Sequence, residues 1–252
     1  MNTKIHFEIG ETIATILADD SDIGIIESAI LDARSIIENK IRSDPLFGRT
    51  FYPYPDSAED CTLIRSMCKA STCACVGPMA SVAGAVLSHT LETVIDTRTG
   101  NIIINNGGDI AFISTKTVYI SMNSNNPYID DIVFEILPHP GIYSVCSSSG
   151  RMGHSISLGN SDISTVFSMD PILADACATA LGNLIQSQED LASATELISS
   201  IDGIDGCLAA CDGRVSICGC MPRIVSRKNC DDDKITRISL PCNARHEPFF
   251  DI

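Results

Sequence analysis

The chain has 252 residues, 44% of them apolar, and a formal net charge of −15. That supplies a core for one large domain or two small ones. The acidic balance excludes sequence-independent nucleic-acid binding, which needs Lys and Arg along the phosphates, and works against attraction to an anionic membrane surface.

Lys4 to Ile9 and Thr12 to Ala18 alternate in polarity and read as paired strands. This start has acidic residues early and lacks the basic, then apolar, order of a signal peptide, so a cytoplasmic location is expected. Asp22 to Ile41 has helical spacing, with Ile25, Ile26, Ala29, Ile30, Ala33, Ile36, Ile37 and Ile41 on one core-facing stripe. Asp44 to Asp56 holds three prolines and reads as a loop. Helical spacing resumes from Ser57 to about Cys73. Gly77-Pro78 then marks a turn before a small-residue helix from Met79 to Thr93. Strands are expected at 101–104, 110–113, 117–122, 132–137, 141–145, 155–158 and 163–168, with Asn105 to Asp109 as a tight turn. A helix starts at Pro171, where Asp170 can cap and Pro suits the first helical position. Another helix spans Ser187 to Ser200. Gly206 to Ala210 and Arg214 to Cys218 form a hairpin around Asp212-Gly213. Residues 223–252 read as a polar, loop-like C-terminal tail. No apolar run of about 18 residues occurs, so no membrane span is expected. The economical reading is a single α+β domain over 1–252, with an antiparallel or mixed sheet packed with helices.

Three places can carry chemistry. Asp175 and Thr179 lie one helical turn apart among small residues (Ala174, Ala176, Ala178 and Ala180) and offer two oxygen donors on one face. That is a half-site for a hard cation such as Mg²⁺. The same pair also serves ordinary ends: an early Asp complements the helix dipole, and a helical Thr bonds back to a carbonyl one turn earlier. Gly107 and Gly108, followed by Asp109, permit positive φ and close backbone approach around an anion, or simply a hairpin turn. Ser149-Gly150, followed by Arg151 and His154, offers hydroxyl, N–H and basic groups to a phosphate, or a polar loop between strands. The twelve cysteines show no paired Cys-x-x-Cys spacing, so a zinc ribbon or ferredoxin-type cluster is not indicated. In a reducing compartment they stay free thiols, and their number suits a microbe living without oxygen.

Three segments together resemble a family: CVGPMASVAGAV from Cys75 to Val86, NNGGDI from Asn105 to Ile110, and the stretch from Cys146 to Asn183 with SSG, GHSISLG and ADACATALGN. They resemble the uncharacterised, cytoplasmic ApbE-like branch related to the FAD:protein FMN transferases. The resemblance implies a T-fold-like domain. It assigns Asp175 and Thr179 to Mg²⁺ beside an FAD diphosphate, and Gly107, Gly108, Ser149 and Gly150 to the flavin nucleotide. His154 and Asp109 are left to move protons. The transferases' His-x-x-Asp-Pro-x-Thr-Gly run is absent after the SG turn, since Ser155 to Gly159 follows His154. The Lys of their Gly-rich segment is also missing between Gly77 and Gly84.

The expected activity is therefore FAD/FMN binding with Mg²⁺, with transfer of FMN or cleavage of the diphosphate. One alternative is an accessory sulfur-relay protein with sulfur-transfer protein partners. It would carry a persulfide on Cys73, Cys75 or Cys146, because the resembling branch is linked with anaerobic sulfur assimilation and homocysteine formation. A second alternative is a non-enzymatic binding module. The partner expected throughout is a small-molecule nucleotide, not a nucleic acid or a membrane.

Overall fold

A computed structural model describes residues 2–10, 12–98, 100–123, 129, 131–150, 159–227, 230 and 235–239. Two strands, β1 (Asn2–Ile9) and β2 (Thr12–Asp19), pair antiparallel and lead into α1 (Asp20–Ser43). Along β2 buried side chains alternate with partly exposed ones, so the strand has one wetter face. Helix α1 buries Ile26, Ala29, Ile30, Ala33 and Ile37 of the expected stripe, while Ile36 and Ile41 at its margin are half-buried and Ile25 is exposed. Helix α2 (Thr62–Ala74) starts later than the spacing from Ser57 implies. Residues 57–61 instead form a turn, in which the Ser57 hydroxyl accepts the Glu59 N–H. A short 3₁₀ turn (Pro78–Ser81) precedes α3 (Val82–Val94).

The large sheet has the order β1-β2-β3-β4-β7-β8-β9-β10. Its remaining members are β3 (Ile102–Asn106), β4 (Asp109–Ile113), β7 (Tyr143–Ser148), β8 (Ile163–Ser168), β9 (Ile204–Cys211) and β10 (Arg214–Gly219). Each neighbouring pair is antiparallel. Strands β4, β7 and β8 are buried along their whole length because both faces of the sheet are covered. One face carries α1 to α3 together with α4 (Pro171–Leu184) and α5 (Leu191–Ser199), packed into a core that includes Ile16, Ile104, Val166 and Leu181. The other carries a smaller sheet, β11-β6-β5-β12, over Phe112, Phe134, Phe167 and Leu208.

That smaller sheet corrects the reading of the polar tail. β11 (Arg223–Ser226) pairs antiparallel with β6 (Ile132–Ile136), and β12 (Ile235–Ser239) runs parallel to β5 (Val118–Asn123). Both are edge strands. Strands of four and five residues at a sheet edge are too short to carry a periodic signal. The strand expected at 155–158 lies outside the described residues. Among the described residues, no single helix is long and apolar enough to cross a membrane.

Candidate functional site

Helix α4 is the spine of the site, and its start is set locally. Asp170 accepts the N–H groups of Ile172 (2.9 Å) and Leu173 (3.1 Å), and Pro171 takes the first helical position. These bonds satisfy two of the four donors a helix start leaves open. The small residues that follow let α3 press against α4. A Cβ on Gly84 would lie 2.1 Å from the Pro171 carbonyl oxygen, so only glycine fits the crossing.

At that crossing Asp175 and Thr179 reach the start of α3. The Gly84 N–H donates to Asp175 Oδ2 at 2.8 Å, and Thr179 Oγ1 lies 3.5 Å from the Ala80 carbonyl oxygen. The Ser81 side chain forms no cap on α3 and donates to the Pro78 carbonyl instead. Asp175 therefore does the capping from a neighbouring helix, and the Ala83 N–H also helps to hold its charge. Both Asp175 and Thr179 are buried.

The diglycine bend delivers the second acid. Gly107 and Gly108 take φ of 66° and 117° and join β3 to β4 by a two-residue turn. Asn105 Oδ1 accepts the Gly108 N–H at 3.2 Å. The next residue, Asp109, points to the helix-covered face and accepts the Ser147 N–H at 3.0 Å. Cys146 lies between the two acids. Its thiol bonds to Asp109 and lies 3.7 Å from the Pro171 carbonyl oxygen at the head of α4.

The electrostatics follow from this packing. Burial pushes Asp109 up to about 7, although the Ser147 N–H and the Cys146 thiol pull the other way. Asp175 is raised well above the carboxylate range, first by burial and then by the charge of Asp109, and the Gly84 and Ala83 N–H groups oppose the rise. Cys146 is likewise pushed well up by burial and by the two carboxylates. Among the described residues, neither acid forms an ion pair with Lys, Arg or His. With no Lys, Arg or His partner among the described residues, burial raises the proton affinity of both acids.

Ser149 and Gly150 sit at the other end of α4. The Gly150 N–H donates to the Ser161 carbonyl at 3.0 Å. A Cβ on Gly150 would come within 2.1 Å of the Gly159 oxygen, and one on Gly159 within 1.9 Å of the Gly182 oxygen. These glycines stitch the chain to the last turns of α4. Ser149 is buried beside them. His154 lies outside the described residues. Around α4 the structure thus brings together Asp109, Asp175 and Thr179 toward one end and Ser149 and Gly150 toward the other. It adds Gly84 and the Ala80 carbonyl, which act through backbone groups that side-chain motifs could not single out, and it sets Cys146, a persulfide candidate in the sequence, beside Asp109. A separate cavity of about 410 Å³, lined by Tyr119, Glu135, Arg223 and Cys230 among others, lies on the smaller sheet, across the large sheet from the acids.

Helices on one face of an eight-stranded sheet and a smaller sheet on the other define a fold shared with solved flavin transferases. The ApbE protein of Thermotoga maritima superposes with a TM-score of 0.62, covering 87% of this chain and 97% of that one. The H257G mutant of the flavin transferase ApbE of Vibrio cholerae does so with 0.56 over 87% and 97%. Sequence identity is 11% in both cases, so the likeness is one of fold. The chain belongs to the family described as AbpE bacteria, which matches residues 1–202. It is similar to UPF0280 proteins of methanogens. Identity is 38% with that of Methanothrix thermoacetophila, over 87% of this chain and 93% of the relative. It is 39% with that of Methanospirillum hungatei, over 92% and 94%.

Proposed function

We propose that the protein binds a flavin nucleotide, with FAD as the form tested, together with Mg²⁺ at the crossing of α3 and α4, and acts on the diphosphate. The observation that carries this reading is the meeting of α4 with the start of α3 through oxygen donors: the Asp175 carboxylate accepts the Gly84 N–H at 2.8 Å, and one turn along α4 the Thr179 hydroxyl lies 3.5 Å from the Ala80 carbonyl oxygen. All three are hard donors, and the set suits a cation that keeps positions open for phosphate and water.

When bound, the cation neutralises the diphosphate and polarises the bond that breaks. The rest falls to the chain. Asp175 and Thr179 orient the nucleotide against the start of α3. Burial of Asp109 leaves it able to hold or release a proton near neutral pH, the property a general acid or base needs. The Gly107-Gly108 bend keeps that carboxyl at the rim of the large sheet, and His154 is a second proton-transfer group in this proposal. Whether the phosphorus is delivered to water or to a protein hydroxyl separates hydrolysis from FMN transfer, and product analysis by mass distinguishes the two.

The test is quenching of FAD fluorescence on titration with the protein, with and without Mg²⁺. Tighter binding with Mg²⁺, and loss of that difference in D175N with residual binding retained, is the expected result. Failure of the wild-type protein to bind FAD under either condition refutes the proposal.

One observation keeps the sulfur-relay reading alive in narrower form: Cys73 and Cys75 are exposed, whereas Cys146 is buried. A persulfide would then sit on Cys73 or Cys75. Intact mass after treatment with a sulfide donor tests this, and absence of added sulfur on both residues rejects it.

A further inference from the structure

We infer that Cys207 and Cys218 form a cross-strand dithiol that small-molecule disulfides close to an intramolecular disulfide, a modification site on the β9–β10 hairpin separate from the acid pair. The two residues are directly opposed in the antiparallel register of β9 and β10. Opposed residues in such a ladder have Cα atoms about 4.5 or 5.5 Å apart, according to the pair type, and both values fall in the disulfide range of about 4.4–6.8 Å. Directly opposed side chains also leave the sheet on the same face. Here that face is the one under α5: Cys207 belongs to the helix-side core and Cys218 packs against it.

The surroundings hold both sulfurs at the foot of α5. Cys207 Sγ lies 3.3 Å from the Thr195 carbonyl oxygen, and the Ser199 hydroxyl donates to Cys218 Sγ at 3.0 Å. Thr195 and Ser199 are one turn apart on α5, so a single helix face covers the dithiol. The Thr195 hydroxyl also meets the Ser216 hydroxyl at 2.8 Å, which anchors that face to β10. The two thiols differ in access: Cys207 is fully buried and Cys218 half-buried.

The difference in access orders the chemistry. Cys218, as thiolate, attacks one sulfur of a small disulfide RSSR. A mixed disulfide Cys218–S–S–R forms and RS⁻ leaves, taking up a proton. Cys207 then loses its proton and attacks the Cys218 sulfur, forming the Cys207–Cys218 bond and expelling a second RS⁻. Two protein thiols are oxidised and one RSSR is reduced to two RSH. Burial pushes the Cys207 thiol up to about 12, so the second step is slow, on the scale of minutes to hours. The product clips β10, an edge strand of the large sheet, to its neighbour.

The full chain is incubated with oxidised glutathione, unfolded in the presence of an alkylating agent and digested. The expected result is a peptide linking Cys207 to Cys218, a mass loss of two hydrogens, and a melting temperature raised by about 5 °C or more, all reversed by dithiothreitol. Cys218→Ser abolishes the link and the shift, while Cys220→Ser, just past the end of β10, retains both. Glutathione left on Cys218, a Cys218–Cys220 link, or complete alkylation of Cys207 and Cys218 after the exposed cysteines have reacted each overturns the inference.

Discussion

Replacing Asp109 by Asn isolates the energetic consequence of burying an acid at the site. The native carboxyl is raised from 3.8 to about 7, chiefly by burial. The folded state therefore holds a proton that the unfolded chain releases between about pH 4 and pH 7. Native stability falls as pH rises through that window and levels off above it. At about 1.36 kcal/mol per pH unit, the full gap amounts to about 4 kcal/mol, of which about 3 kcal/mol develops between pH 5 and pH 8. Asn keeps an oxygen to accept the Ser147 N–H and carries no charge, so D109N escapes that loss. It also removes the charge that raises Asp175. Relaxation around a buried charge lowers such figures, so the variant is expected to gain about 2–3 kcal/mol on the wild type between pH 5 and pH 8. Urea denaturation of both proteins at the two pH values measures this. A stability difference that is the same at both would refute the buried-acid reasoning, because an exposed Asp109 would carry no such pH dependence.

Gly84→Ala places a methyl group 2.1 Å from the Pro171 oxygen and pulls the Gly84 N–H from Asp175. Overpacking of about 1–3 kcal/mol and a lost charge-assisted bond of about 1.5–3 kcal/mol, offset by about 1 kcal/mol of helix propensity, leave a net loss of about 1.5–5 kcal/mol in urea denaturation. Asp170→Ala uncaps α4 and lowers stability by about 1 kcal/mol by the same assay. In brief alkylation of the native protein read by peptide mass, Cys61, Cys73, Cys75 and Cys220 are modified and Cys146, Cys177 and Cys211 are spared until denaturant is added. Modification of Cys146 at the rate of Cys75 would place that thiol at the surface and dismantle the acid–thiol–acid arrangement.

The local devices were readable from neighbouring residues. Asp170-Pro171 announces the start of α4, Gly107-Gly108 the β3–β4 bend, and Asp212-Gly213 the last hairpin. Each rests on backbone rules that act within a few residues. Asp175 and Thr179 were singled out because a helix with known start fixes which residues share a face. Other parts left no such mark. Residues 57–61 have helical apolar spacing, yet a serine turn takes their backbone. β11 and β12 are short edges whose pairing partners lie far away in the chain. Gly150 reads as a donor to a phosphate, but its N–H serves Ser161 and its bare Cα lets Gly159 approach.

By itself the sequence determined the α+β class, the helix that carries Asp175 and Thr179, and the turn that presents Asp109, since periodicity and turn chemistry are encoded in adjacent residues. Only the tertiary structure decided that these pieces face one another. Strand order sets β4 beside β7, so Asp109 meets Cys146, and the glycine crossing of α3 over α4 turns Asp175 inward to the same place. Proton affinities near neutrality arise from that enclosure, because desolvation depends on what the whole chain packs around a carboxyl, and no short segment specifies it.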